Sequence, residues 1–240
     1  MKKILISLVA FVFATSAFAK EVTLLMDWFP QGNQSGYWQA EFDNRYHTDV
    51  TIKVKAGGPK VNTTTAVASG QVEFGLQASD SVMLANAKGA GLKGIFVSLD
   101  HVPYTLVYHP NTGVNSVKDL DGRPFAVKMG VTYWKWVKHT YGLNNVKEFP
   151  LTGDLGLFAR TPQQFQQGYS LFLPARLDAK GVANEQITVE SLGYRPYSVL
   201  FTSDKMIKEN PELVQAVVDR LSISFQKSLV DPKPTRDFIL

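Results

Sequence analysis

The chain contains no cysteine. Disulfides, thiolate nucleophiles and thiolate metal ligands are therefore excluded, and stability must come from ordinary packing. Histidine is scarce as well. His47, His101, His109 and His139 are scattered, none in an H-E-x-x-H or similar metal spacing, and no serine sits in a G-x-S-x-G turn. Each is most simply a surface or loop residue; His101, beside an expected crossover, is the one retained as a pocket candidate. Runs of like charge and Lys/Arg clusters are missing, which removes the phosphate-neutralising stripe that a nucleic-acid partner needs. Beyond the amino terminus no apolar stretch approaches the roughly 20 residues of a spanning helix. No internal repeat or low-complexity segment is evident.

What the chain does have begins with a leader. Lys2 and Lys3 precede an apolar run from Ile4 to about Ala14, and Ala17-Phe18-Ala19 forms a small-x-small cleavage pattern before Lys20. Residues 1–19 are thus expected to be a removed signal peptide, and the run is too short to favour an uncleaved anchor. Losing it leaves 23 basic against 21 acidic residues, so the whole-chain pI of about 9.1 overstates the basicity of the exported protein. An apolar fraction of 45% suffices for one large core or two modest ones.

Short strands are expected at Val22–Met26, Val50–Val54, Val72–Leu76 and Leu92–Leu99. Helices fall between them at Gly36 to about Asn44, at Asn62–Ala68, and after Ser79-Asp80, where Val82-Met83-Leu84-Ala85 follows a plausible cap. This alternation is the pattern of a parallel sheet flanked by helices. A second series has strands at Tyr104–Tyr108, Pro124–Val127, Gly168–Leu173, Ile187–Leu192 and Ser198–Phe201. Its helices are a short one at Ser116–Leu120, one from Thr132 to Tyr141 ending at Gly142, another at Asp204–Lys208, and a long amphipathic one from Pro211 to about Leu229. The last should bury Leu213, Val217, Leu221 and Phe225 against the first lobe. Between Phe149 and Gly168 the periodicity is too weak to place elements. Crossovers near Asp100–Pro103 and Gly193–Pro196 divide the chain into two lobes, with a single doubly wound domain as the simpler alternative. Ligands of such folds sit outside the carboxyl ends of the strands.

Residues 26–40, Met-Asp-Trp-Phe-Pro-Gln-Gly-Asn-Gln-Ser-Gly-Tyr-Trp-Gln-Ala, crowd rings and amides just after a strand, which suits a pocket for a flat polar ligand. Trp28, Tyr133 and Trp134 offer stacking faces, whereas Trp38, inside a helix, is as well explained by packing. Asp27 can accept hydrogen bonds from ring amino groups, and Asp80 can do the same or merely cap its helix. Gln31, Asn33 and Gln34 match heterocycle edges, and Gly57-Gly58 offers backbone amides to an anionic group, a weak signal without a phosphate-loop spacing.

The opening motif resembles the D-W-x-P-N-x-x-H-x-G-x-Y-x-A opening of the NMT1/THI5-like group of periplasmic substrate-binding proteins, which deliver thiamin-pyrimidine precursors and related compounds to ABC importers. The resemblance continues through Gly57-Gly58-Pro59, Val67 to Gly75, Ser79-Asp80-Ser81, His109-Pro110, Lys118 to Gly122, Tyr133-Trp134 and Gln167-Gly168-Tyr169. It implies a type II periplasmic-binding clamshell, an α/β fold in which each lobe is a mainly parallel sheet flanked by helices. Lobe 1 would comprise residues 20–102 and 195–240, and lobe 2 residues 103–194. It also implies a ligand site drawn from Asp27, Trp28, Gln31, Asn33, Gln34, Gly58, Ser79, Asp80, Tyr133, Trp134 and Tyr169.

The departures narrow these implications. Gln31 and Gln34 stand where the family often has Asn and His, and Leu173 replaces an acidic residue before Pro174. Similar proteins usually continue through further helices beyond Asp231, so a truncated chain is expected. Yeast-type pyrimidine synthases of the superfamily hold pyridoxal phosphate on a Lys and sacrifice a nearby His; the corresponding positions here are Gln77 and Ser81, and Gln77 can form no Schiff base. The expectation is therefore a non-enzymatic, monomeric periplasmic carrier without cofactor or metal, with a small aromatic ligand and an ABC-importer permease as partners. The alternatives are a sulfonate- or nitrate-type carrier, and a truncated receptor that acts as an interaction or sensor module.

Overall fold

The computed structural model describes residues 20–46 and 49–239, so the expected signal peptide and His47 lie outside the described residues. The first series comprises β1 (Lys20–Leu25), α1 (Ser35–Phe42), β2 (Val50–Lys55), α2 (Thr63–Ala68), β3 (Phe74–Ala78), α3 (Ser79–Asn86) and β4 (Leu92–Leu99). In β1 and β2 every second residue is buried: Val22 and Leu24 in one, Val50, Ile52 and Val54 in the other. α2 starts where Asn62 accepts a hydrogen bond from the Thr65 amide at 3.1 Å, satisfying one of the orphan donors of a first helical turn.

The second series comprises β5 (Tyr104–Tyr108), β6 (Pro124–Val127), α4 (Thr132–Tyr141), β7 (Lys147–Pro150), α5 (Leu155–Arg160), β8 (Phe165–Tyr169), α6 (Leu173–Asp178) and β9 (Glu185–Thr188). The chain then returns through β10 (Ser198–Ser203), α7 (Asp204–Glu209), α8 (Pro211–Val230) and α9 (Lys233–Ile239). The strand expected at Gly168–Leu173 is corrected: it ends at Tyr169, and Leu173 opens α6, with Pro174 in the first turn where its missing amide costs nothing. The strand expected at Ile187–Leu192 is shifted to Glu185–Thr188, because Ser191 and Leu192 turn back onto Thr188 and Val189. The segment without clear periodicity holds the end of β7, α5 and the start of β8, elements of four to six residues that are too short to show a period.

Two five-stranded sheets result, ordered β2-β1-β3-β10-β4 and β7-β6-β8-β5-β9. They are mixed sheets. β10 runs antiparallel to β3 and β4, and β5 runs antiparallel to β8 and β9. The other pairs, β1 with β2 and β3 and β6 with β7 and β8, are parallel. Both exceptions are strands that arrive from the other lobe, so neither needs the helical crossover that makes consecutive strands of one sheet parallel.

Met26, Tyr37, Ile52 and Phe74 form one core with Val217 and Leu221 of α8, while Leu213 and Phe225 pack at its margin. Leu106, Phe125, Val127, Trp134 and Phe165 form the core of the second lobe. Arg220 of α8 is buried too, reaching the Ala40 carbonyl at 3.3 Å, Asn44 Oδ1 at 3.3 Å and Asp49 at 3.4 Å. Among the described residues, no helix is long and apolar enough to cross a membrane.

Candidate functional site

The carboxyl ends of β1 and β6 face each other across a cleft of about 1050 Å³. β1 delivers Asp27, Trp28 and Phe29 to it, β6 delivers Lys128 and Met129, and β8 delivers Gln166, Gln167 and Tyr169. Tyr104 and Phe172 add further rings to the lining.

Gly57 holds the β1 edge in place. Its amide donates to the Trp28 carbonyl at 2.9 Å, and a Cβ there would lie 2.1 Å from the Met26 carbonyl oxygen and 2.6 Å from the Trp28 nitrogen. Only glycine fits so close a backbone approach. The Gly57 amide is thus spent within the protein and is not offered to an anion. Gly58 lies beside Phe29, whose ring would be 3.3 Å from an added Cβ, and is outside the cleft lining.

Asp27 is buried, and Gln34 Nε2 reaches its Oδ1 at 3.5 Å. Burial pushes the carboxyl up to about 6, against the opposing pull of Lys128. Lys128 crosses the cleft: its Nζ donates to the Asp27 carbonyl at 3.2 Å and stands 5.4 Å from the Trp28 ring centroid, within cation–π range. Burial lowers the Lys128 pKa, and the Asp27 charge partly restores it. Gln167 accepts from the Lys128 backbone amide at 2.8 Å and fixes the turn from which the lysine projects. A second bridge joins Ser81 Oγ of α3 to Thr132 Oγ1 of α4 at 3.2 Å.

Of the residues singled out from sequence, Asp27, Trp28, Gln31 and Tyr169 line the cleft together. Gln34 sits behind Asp27, and the buried Asn33 Oδ1 has no partner among the described residues. Ser79 and Asp80 are outside the cleft lining and bond the segment Tyr194–Tyr197. Ser79 exchanges hydrogen bonds with the Tyr197 backbone at 2.8 and 3.0 Å, and Asp80 accepts from the Tyr194 hydroxyl and the Ser81 amide, both at 2.7 Å. Burial raises the Asp80 pKa despite those donors. Asp80 does not cap α3 in the expected way, because the helix is entered from Ala78 without a side-chain cap.

Tyr133 and Trp134 are placed in the core instead of the cleft. Tyr133 is fully buried and stacks on Tyr104 with centroids 4.4 Å apart, and Trp134 meets Phe125 edge-on at 4.6 Å. Helix phase explains this: Thr132 and Lys135 of α4 line the cleft, which turns positions 133, 134 and 137 inward. His101 is likewise outside the cleft lining, 2.8 Å from Asp100 and 3.2 Å from Glu190, where Arg195 also meets Glu190 at 3.2 Å. His109 bonds the Phe158 carbonyl at 2.8 Å and stacks on its ring.

The sequence reading missed Lys128, Tyr104, Gln166 and Phe172 as site residues. The one signal for Lys128 is its place directly after β6, and a single lysine after a strand has no distinctive composition. Gln77 and Ser81, the positions where a cofactor Lys and a sacrificial His would stand in the synthases, do line the cleft. Gln77 Oε1 accepts from the Ala78 amide at 3.0 Å. Among the described residues, no group of three or more His, Asp or Glu side chains comes together as a metal site.

The family model described as NMT1/THI5 like matches residues 46–234, most of the chain. The chain belongs to the NMT1/THI5-like family. Within reach of that family, the riboflavin-binding protein RibY of Chloroflexus aurantiacus is 23% identical over 242 residues, covering 92% of this chain and 66% of the relative. The 4-amino-5-hydroxymethyl-2-methylpyrimidine phosphate synthase of Legionella pneumophila is 27% identical over 118 residues, covering 46% of this chain and 35% of the relative. The chain thus spans between a third and two thirds of the length of these curated relatives. The periplasmic aliphatic sulphonate binding protein SsuA of Escherichia coli superposes with a TM-score of 0.69 at 14% identity, covering 92% of this chain and 73% of that one. The fold is accordingly that of the two-lobed periplasmic binding proteins.

Proposed function

We propose that the protein is the solute-binding component of an ABC importer, exported to the periplasm after loss of residues 1–19, and that it captures a small planar heterocycle between its lobes. The observation that carries this reading is the juxtaposition of the Trp28 ring with the buried Asp27 carboxyl in the cleft lining. A flat ring bearing amino or N–H groups satisfies both: it stacks on the indole while donating to a carboxylate whose side-chain donor among the described residues is Gln34, at 3.5 Å. Family membership and the names of the two curated relatives, one referring to riboflavin and one to an aminopyrimidine phosphate, support a heteroaromatic ligand. Lobes of residues 20–102 with 195–240 and 103–194 would close about the hinge at Val102–Pro196, and the ligand would favour closure by touching both. The protein acts as a monomer that presents its closed form to a permease. It has no catalytic role, because Gln77 and Ser81 replace the chemistry-bearing pair.

A sulfonate-type carrier is the second reading, favoured by the lysines and arginine of the lining. Calorimetric titration with 4-amino-5-hydroxymethyl-2-methylpyrimidine, riboflavin and butanesulfonate separates the two. Binding of a ring compound that Trp28→Ala abolishes supports the heterocycle reading; binding of butanesulfonate alone overturns it.

A further inference from the structure

The cleft lining is electrically lopsided. It contains Lys60, Lys88, Lys128, Lys135 and Arg176 but a single acid, Asp27. Lys128 and Asp27 lie together at the inner end and offset one another. Lys60, Lys88, Lys135 and Arg176 are exposed on the lips, and none of them forms an ion pair among the described residues. Unpaired cations occur elsewhere on the surface too; what distinguishes the lining is that these four share it with one acid, Asp27. Lys93, outside the cleft, pairs with Asp204.

The four cations also come from both sides. Lys60 precedes α2 and Lys88 follows α3 on the first lobe, while Lys135 belongs to α4 and Arg176 to α6 on the second. Closing an empty cleft brings like charges together at a cost that low-dielectric walls enlarge. An anion held between the lips reverses the sign of that term. It then contributes to closure as well as to affinity, because its interaction is stronger in the closed state than in the open one.

The inner end asks for the opposite chemistry. Asp27 can only accept while ionised, and the buried Gln31 Oε1 has no partner among the described residues. We infer that the ligand is a two-ended heteroaromatic anion, with ring amino or N–H donors directed at Asp27 and Gln31 and a phosphate, sulfonate or carboxylate group held between Lys60 and Lys88 on one lip and Lys135 and Arg176 on the other. The inference rests on the solute-binding reading above and adds the charge of the solute to it.

Matched pairs test it: pyridoxine and its 5′-phosphate, riboflavin and its 5′-phosphate, and 4-amino-5-hydroxymethyl-2-methylpyrimidine and its phosphate. Each is titrated calorimetrically into the protein at about 10 mM and about 1 M salt, where the screening length falls from about 30 Å to about 3 Å. In at least one pair the anionic member should bind about 10-fold or more tightly at low salt, and the advantage should shrink to a few-fold at high salt. Lys88→Gln and Lys135→Gln, one on each lip and both exposed, should each narrow the ratio at low salt, and the double variant should bring it close to one. Lys93→Gln, outside the cleft, should leave it unchanged. Equal binding of neutral and anionic members, or a ratio that survives the double variant, overturns this inference and leaves the carrier reading standing. Failure of every ring compound to bind, or butanesulfonate binding as tightly as the best ring anion, overturns the heterocycle reading and this inference with it.

Discussion

The two sheets share one strand order, with an antiparallel newcomer in the fourth position, yet their equivalent edges carry opposite chemistry. After β1 the chain places Asp27 and Trp28 at the cleft; after β6, the corresponding strand of the second sheet, it places Lys128 and Met129. The two ends meet where Lys128 reaches the Asp27 carbonyl. A duplicated architecture thus builds a cleft that is not duplicated: the first lobe contributes a ring face and a buried carboxyl, and the second contributes a cation that reaches across to them. The lobes also use their aromatic residues differently. Trp28 is half-exposed at an edge, whereas Trp134 is buried at 3% exposure under α4.

The contrast between the two tryptophans gives the largest expected effect. Trp134→Ala should cost about 3–5 kcal/mol of stability through the cavity it leaves against Phe125, read as a fall in the denaturant midpoint. Trp28→Ala should leave that midpoint nearly unchanged and weaken ligand binding by roughly 30-fold or more in a calorimetric titration. Unchanged affinity would place Trp28 outside the site and erase the distinction between the lobes.

Asp27→Asn tests the acceptor end. The Asp27 carboxyl is raised from 3.8 to about 6 in the folded state, so between those values the folded protein binds more protons than the unfolded chain. The Asp27 contribution to stability is therefore fully present below pH 3.8 and is lost as pH rises through about 6. Lys128, Tyr37, Tyr104 and Tyr169 face the carboxyl, and none of them changes charge there. Asparagine removes the buried charge, so the variant should be more stable than the wild type by about 2 kcal/mol at pH 7.5, with little difference at pH 4. The same change should weaken binding of an amino-bearing ring. Melting curves at the two pH values check the first expectation; a destabilised variant at pH 7.5 would show that Asp27 is stabilised by its surroundings.

The smallest expected effect is in the second lobe. Tyr133 buries a hydroxyl with no partner among the described residues, so Tyr133→Phe should be neutral or stabilising by up to about 1 kcal/mol and should not alter ligand affinity. A loss of affinity would return Tyr133 to the site and make the two lobes more alike than their packing suggests.

The lessons of the sequence reading come from particular places. The end of β1 was legible because its apolar run stops at Asp27, which places that cleft edge, whereas the strand expected at Val72–Leu76 runs through the polar Gln77 to Ala78. Lys128 escaped because one lysine after a strand has no distinctive composition; its meaning comes from Asp27, 101 positions earlier. Tyr133 and Trp134 looked like pocket residues because their aromatic character is visible in sequence while the inward face of α4 is not. Gly57 stands out in the sequence, but the backbone it presses against, Met26 to Trp28, comes from a different strand.

By itself the sequence determined the local terms: alternating burial in β1 and β2, the cap at Asn62, the glycine stop at Gly142, the family motifs, and the absence of any thiol. These depend on neighbours within a few residues, where propensity and periodicity act. Tertiary structure decided which strands run antiparallel, which face of α4 meets the cleft, and that Asp80 and His101 lie outside its lining. It also decided that Lys60, Lys88, Lys135 and Arg176, in no ion pair among the described residues, line one cleft with the buried Asp27. Those outcomes depend on contacts between segments far apart in the chain, and Coulomb interaction and burial respond to distance in space, whatever the separation in sequence.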